Sequence, residues 1–273
     1  MLKTPYRAAH DENRMTHEGD VAAARARFFA LRSNNLRLLL SHRYEWMNEF
    51  IHPGDRGMEV GCGTGISKEF IRCKDYLLTD FSDAPWLDVK HVDAMATPFK
   101  DAEFDFVVSS NMVHHVPYPR RFFREMSRIL KPGGHLLIQE INASLLMRAL
   151  LRMMRHEGYS FEPDVFDEDL VCTDPDDLWS ANCGIPNLLF DDRERFQREV
   201  REFSIVRSSF SEGLSFINSG GVIARTVFVP LPVWLLQLLK HLDDAVIAIS
   251  PQTFALQRQV ALKRATDDRG ASV

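Results

Sequence analysis

Met58-Glu59-Val60-Gly61-Cys62-Gly63-Thr64-Gly65 is the stretch whose reading decides the fold. An apolar strand carrying Met58 and Val60 runs into glycines at alternate positions, and a helix-like segment begins near Ile66-Ser67-Lys68. A strand that bends sharply into a helix offers backbone N–H groups and the positive helix end to a ligand. Glycine permits the bend and lets a ligand approach where a Cβ would stand. The spacing is G-x-G-x-G, with Ile66 where the dinucleotide fingerprint G-x-G-x-x-G has its third glycine. A phosphate-binding Gly-Lys-Ser/Thr is absent. The turn alone is a weak signal, so the residues downstream of it must carry the reading.

The residues outside the turn set bounds. A chain of 273 residues with 45% hydrophobic composition suits one large domain, or a core with an insertion. The net charge of −5 does not call for nucleic acid. Cys62, Cys73, Cys172 and Cys183 show no C-x-x-C spacing and read as reduced thiols of a cytoplasmic protein, with no metal site expected. Met1 to Asp20 is polar and lacks the apolar core of a secretory signal. The most apolar region, Val227 to Ile249, is broken by Pro230 and Pro232 and carries charges at Lys240, Asp243 and Asp244. It falls short of the roughly 20 apolar residues a spanning helix needs.

Along the chain, Val21 to Phe50 reads as two helices ended by Pro53-Gly54, packing across the sheet or forming a lid. Strand one is Gly57 to Gly61, a helix follows over Ser67 to Arg72, and strand two runs from Tyr76 to Thr79 and ends at Asp80. Asp80 stands 19 positions beyond Gly61. A carboxylate about 20 residues after the glycine turn can accept hydrogen bonds from two ribose hydroxyls. A short strand over Val89 to Val92 places Asp93-Ala94 at its end, where Asp93 can accept from an adenine amine. Phe104 to Ser110 is a nearly continuous apolar run, the pattern of a strand covered on both faces. A helix over Arg120 to Leu130, the turn Lys131-Pro132-Gly133-Gly134 and a strand over His135 to Ile141 complete this half. Alternating strands and helices imply right-handed crossovers and a parallel sheet, with ligands outside the carboxyl ends of the strands.

On these residues the chain resembles a class I S-adenosylmethionine-dependent methyltransferase, of the subgroup similar to quinone-ring methyltransferases. Glu59 to Gly65 resembles the family's first motif, Asp80 its ribose acid and Asp93-Ala94 its adenine motif. Ser110 to His115 resembles the segment after strand four, and Arg128 to Gly134 the turn before strand five. The likeness covers Asn35 to Asn142, about 40% of the chain. It implies an α/β, Rossmann-like, doubly wound and mostly parallel seven-stranded sheet with a reversed last strand. The sixth and seventh strands fall near Phe203 to Phe210 and Gln257 to Lys263. It implies S-adenosyl-L-methionine as cofactor, held by Glu59, Gly61, Cys62, Gly63, Gly65, Asp80, Phe81, Asp93, Ala94, Ser110, Asn111 and Met112. His114 and His115 follow strand four, where the methyl group is expected. One of them is the candidate general base; the alternative is that they only start the next helix.

The expected organisation is an N-terminal helical segment (1–52), a cofactor-binding core (53–155), a substrate-side insertion (156–202), the rest of the core (203–265) and a tail (266–273). The insertion from His156 to Asp192 holds eleven Asp or Glu and no Lys or Arg. Within it, Asp176, Asp177, Trp179 and Asn182 suit a saccharide, whose hydroxyls carboxylates and Asn accept from and whose ring an aromatic face covers. A solvated acidic loop is the plainer reading. Arg193 to Glu202 reads as a charged helix with pairs such as Glu194–Arg198. Leu231 to Ile249 reads as a helix that is buried, forms a homodimer contact, or touches a membrane or lipid tail. The expected function is methyl transfer to a hydroxyl or amine of a small molecule, a saccharide among them. The alternatives are a quinone or lipid-linked acceptor, and a non-catalytic S-adenosylmethionine-binding module.

Overall fold

A computed structural model describes residues 5–6, 20–155, 157–223 and 225–266. The expected tail, save its first residue, and most of the polar N-terminus lie outside the described residues. At the centre is β1 (Arg56–Glu59), with Met58 fully buried between two parallel neighbours, β2 (Asp75–Asp80) and β4 (Phe104–Ser110). β3 (Val89–Lys90) extends the sheet on the β2 side. On the other side lie β5 (Leu130–Ile141), β7 (Gln257–Arg264) and β6 (Phe203–Ser211), giving the order β3-β2-β1-β4-β5-β7-β6. β7 runs antiparallel to both its neighbours. This is the seven-stranded, mostly parallel sheet with a reversed last strand that the resemblance implies. Strand order reverses between β1 and β4, and a crevice opens outside the carboxyl ends at such a point.

Two helices cover one sheet face. α1 (Val21–Leu31) is capped by Asp20, whose Oδ1 accepts from Ala22 N at 2.8 Å and Ala23 N at 3.2 Å. α2 (Asn34–Tyr44) follows, then a 3-10 turn over Glu45–Phe50. Phe28, Leu36, Leu40, Tyr44 and Met47 pack on Tyr76, Leu78, Phe106 and Val108 of the sheet. The opposite face meets α3 (Pro119–Ile129), which buries Phe122, Phe123, Met126 and Ile129. The insertion packs into that same core through Val165, Ile185 and Leu189. It follows α4 (Leu145–Met154) and contains α5 (Ile185–Phe190). α6 (Arg193–Glu199), α7 (Leu214–Ile217), α8 (Val233–Ile249) and α9 (Pro251–Phe254) complete the chain. Among the described residues no helix is long and apolar enough to cross a membrane.

Four local expectations change. The helix expected over Ser67 to Arg72 is a single 3-10 turn, Ile66–Glu69. Asn48 explains its end: its Oδ1 accepts from Arg72 N at 2.7 Å and its Nδ2 donates to Phe70 O at 3.0 Å, holding that backbone out of a helical ladder. The face such a helix would cover is filled by α1 and α2. β3 spans two residues rather than four, because His91 takes a left-handed φ of 55° that ends the extended run. β5 begins at Leu130, but its register jumps from Phe104↔Leu130 to Phe106↔His135, so Lys131 to Gly134 form a bulge and the regular ladder starts at His135. On α6 the arginine that finds a distant carboxylate is Arg195, 2.8 Å from both oxygens of Asp164. Arg198 lies beside Glu199 at 3.3 Å rather than Glu194, so the charged helix pins the insertion.

Candidate active site

The glycine turn after β1 takes its shape from three left-handed residues: Gly61, Gly63 and Gly65 have φ of 64°, 49° and 59°. Gly61 is also a close approach, since a Cβ there would lie 2.3 Å from Met112 Cγ. A Cβ on Gly63 would meet nothing within 4 Å, so this position faces open space. The turn is gripped from around it. Asp80 Oδ2 accepts from Gly63 N at 2.8 Å, Trp86 Nε1 donates to Gly63 O at 2.9 Å, and Arg25 Nη1 donates to Thr64 O at 2.6 Å.

Asp80 ends β2, and its second oxygen accepts from Ser82 N at 2.8 Å. Its neighbour Phe81 is half exposed at the rim. Asp93 Oδ1 accepts from Met95 N at 2.8 Å, which forms the turn carrying Ala94. Ser110 is the last residue of β4. Asn111 takes a positive φ of 52° after β4, with its N–H on Gln139 O at 2.7 Å. Met112 then lies against Gly61. The residues of the sequence reading thus fall on one rim of the sheet, with two exceptions in their manner of acting. Cys62 is buried, with its thiol pushed up by burial. Glu59 is enclosed beneath the turn, bonded by Ser67 Oγ and 3.5 Å from Tyr76 Oη. Burial raises its carboxyl to about 8.

The histidines sit on a 3-10 turn, Val113–His115, fixed to Met112 by His115 N donating to its carbonyl at 2.9 Å. His114 is buried between two carboxylates. Its Nδ1 is 2.7 Å from Glu140 Oε2 and its Nε2 is 3.5 Å from Glu157 Oε2. Burial opposes a charge on this ring, but Glu140 and Glu157 outweigh it and raise its pKa to about 10. Burial raises Glu140, yet His114 and the N–H groups of Ile141 and Val113 hold it below the ordinary value. His115 is the reverse case: burial and then the neighbouring His114 charge depress it to about 4. Its Nδ1 lies 3.0 Å from Ser180 O, a pure acceptor, so the proton is on Nδ1 and Nε2 keeps its lone pair.

Glu140, Glu157 and Cys183 were not singled out by sequence reasoning. Cys183 Sγ lies 3.2 Å from Glu157 Oε2. A signal existed for Glu140: Gln139-Glu140 interrupts an otherwise apolar strand. For Glu157 and Cys183 no local pattern exists.

The insertion residues divide. Asn182 is buried, and its Oδ1 accepts from Ser160 N at 2.7 Å and Gly184 N at 3.0 Å, while its own N–H donates to His114 O at 2.9 Å. Asp177 Oδ1 accepts from Trp179 N at 3.1 Å, shaping an outer turn on which Asp176 and Trp179 are exposed. Asn182 therefore joins the histidines, and Asp176 and Trp179 stand on the surface.

A methyltransferase domain family matches residues 58–138. A demethylmenaquinone methyltransferase of Staphylococcus saprophyticus is 30% identical over 190 residues, covering 62% of this chain and 79% of that protein. Another demethylmenaquinone methyltransferase, of Renibacterium salmoninarum, is 36% identical over 101 residues, and there the chain spans only 43% of the relative's length. A solved S-adenosylmethionine-dependent methyltransferase from Archaeoglobus fulgidus shares the fold, with a TM-score of 0.50, 16% identity, and coverage of 87% of this chain and 100% of that one. The chain belongs to the S-adenosylmethionine-dependent methyltransferases, and its cofactor is S-adenosyl-L-methionine. The rim fits it: an open, Cβ-free face at Gly63, carboxylates at Asp80 and Asp93, and an exposed ring at Phe81.

Proposed function

We propose that the protein methylates a reduced quinone or other phenolic acceptor bearing an apolar tail. One observation carries the reading. The glycine turn, Met112 and His115 are contiguous, so the cofactor rim runs directly into a ring nitrogen whose lone pair is fixed by the bond from Nδ1 to Ser180.

Gly61 to Gly65 would receive the amino-acid tail, Asp80 the ribose hydroxyls and Asp93 the adenine amine. The bound cofactor supplies an electrophilic methyl group on a sulfonium. Met112, pressed on Gly61, and the turn to His115 set the acceptor in line with it. Such positioning is worth ~7–11 kcal/mol. His115 Nε2 takes the acceptor's proton, a contribution of ~10²–10⁴-fold. Glu140 holds the His114 ring, which fixes the turn from beneath. Glu59 acts as a support of the glycine turn rather than as a ligand.

The name of the Staphylococcus relative favours a quinone. So does an apolar surface: Trp234, Leu238 and Leu242 line one exposed stripe of α8, close in sequence to the exposed Val227 and Val229. That surface suits a lipid tail or membrane face. The saccharide reading has less behind it, because Asn182 spends its carbonyl on two backbone N–H groups. The test is transfer of labelled methyl from S-adenosylmethionine to a demethylated quinol, a tailless phenol and a saccharide. Label in the quinol above the phenol is expected. Label in the saccharide alone overturns the acceptor, and binding of cofactor with transfer to no acceptor supports the non-catalytic module instead.

A further inference from the structure

We propose that His114 Nε2, the Glu157 carboxylate and the Cys183 thiolate form a binding site for a divalent cation of the zinc class. Their ligand atoms all lie within 4.8 Å of one another. The nitrogen and sulfur stand 3.5 Å and 3.2 Å from the same Glu157 oxygen. Tetrahedral zinc, with bonds of about 2.0–2.3 Å, sets its ligand atoms about 3.3–3.6 Å apart. The nitrogen–oxygen edge of that tetrahedron is therefore already present, and the sulfur–oxygen pair stands slightly closer than its edge.

The donor chemistry selects the ion. One imidazole, one thiolate and one carboxylate make a borderline-soft set, unlike the all-oxygen shells of magnesium or calcium. The surroundings are those of a built site. Glu140 Oε2 holds His114 Nδ1 at 2.7 Å, and its other oxygen accepts from Val113 N at 2.6 Å. A carboxylate behind a histidine fixes the tautomer, directs the far nitrogen's lone pair at the metal and raises its basicity. The loops that bring the ligands are laced together. Cys183 N donates to Gly158 O at 2.9 Å, and Asn182 bonds Ser160, Gly184 and the His114 carbonyl. Three segments far apart in the chain thus converge on one buried spot.

Binding needs no oxidant. The Cys183 S–H proton leaves for solvent as the sulfur–metal bond forms, and any proton on His114 Nε2 leaves likewise. Three protein ligands leave one tetrahedral position for water or an oxygen of the acceptor. This inference goes beyond the methyl-transfer reading and stands or falls without it.

The purified chain is dialysed against zinc chloride, then against metal-free buffer, and its metal content is measured; a parallel sample takes cobalt(II). About one equivalent per chain is expected, with a sulfur-to-cobalt charge-transfer band. Cys183→Ser and Glu157→Gln should lose at least tenfold in affinity, and Cys172→Ser should bind as the parent does. Affinity for S-adenosylhomocysteine, expected unchanged, reports that each variant is folded. If a variant fails that control, protection of Cys183 from alkylation by zinc in the parent chain decides. No retained metal, equal retention in Cys183→Ser, or a cobalt complex without the charge-transfer band overturns the site.

Discussion

The cofactor rim and the histidine cluster lie side by side and are built in opposite ways. The rim is made of neighbours in sequence. Gly61 to Gly65, Asp80 and Asp93 follow one another along a βαβ-type path, and their contacts are mostly to backbone: Asp80 to Gly63 N and Ser82 N, Asp93 to Met95 N. The cluster is made of strangers. His114, Glu140, Glu157 and Cys183 come from a turn, a strand end and two loops, and they touch through side chains. A backbone-built site survives wide sequence change, because any residue supplies an N–H. A side-chain-built site depends on each residue's identity. Under the proposed function, cofactor binding falls to the first and choice of acceptor to the second.

If that contrast holds, the largest effect falls on Asp80. Asp80→Ala removes the turn's anchor and the proposed ribose contact together. The dissociation constant for S-adenosylhomocysteine should rise about 100-fold or more, as expected for two hydrogen bonds to a charged group at ~1.5–3 kcal/mol each. Calorimetry checks it, and an unchanged constant would break the comparison on the rim side. Next come the glycines. Gly61→Ala strains a positive φ and drives Cβ into Met112, so a stability loss of ~2–3 kcal/mol is expected in urea unfolding. Gly63→Ala meets no atom, so it should cost ~1 kcal/mol of stability while weakening cofactor binding. Equal behaviour of the two variants would show that the open face at Gly63 has no ligand.

On the cluster side, Glu140→Gln should lower the transfer rate up to ~10²-fold, because freeing His114 loosens the turn that positions His115. Cofactor affinity should stay as it was; loss of both together would merge the two regions into one. A smaller effect concerns Glu59. Folded, it holds a proton up to about 8, whereas an ordinary carboxyl releases it at 4.5. Over that window the folded chain binds more protons than the unfolded one. Stability therefore falls as pH rises, by at most about 1.4 kcal/mol per pH unit, and the contribution is fully present only below 4.5. Glu59→Gln should flatten the dependence of melting temperature on pH across this range, and an unaltered slope would assign it to other groups. The smallest effect on stability belongs to Trp234→Ser, within ~0.5 kcal/mol because the ring is exposed. Its expected consequence is weaker sedimentation with lipid vesicles.

The same contrast decides what could be read without coordinates. The strand ends, the glycine turn and the two rim carboxylates are encoded by short-range spacing, which is why β4 begins and ends where the apolar run does. The 3-10 turn in place of a helix was not legible, because its cause is Asn48, a residue of another element. Glu157 and Cys183 were hidden for the same reason: convergence of loops leaves no periodicity. Asp176 and Trp179 are the opposite case, a sequence neighbourhood that the fold leaves on the surface, apart from Asn182.

Arg27 donates to the carbonyls of Val222 and Ile223, Asn35 to those of Asn218 and Val229, and Arg43 forms a bidentate pair with Glu212. These partners are 169 to 196 positions apart. During synthesis, α1 and α2 can pack on Tyr76, Leu78, Phe106 and Val108 early, but their polar ties to Glu212, Asn218, Val222 and Val229 must wait for much later segments. The sheet face can thus be covered while the outer side of the two helices still lacks its partners, and that layer closes late. A nascent chain stalled before Glu212 would accordingly hold the Arg43 guanidinium beside the sheet without the carboxylate that neutralises it.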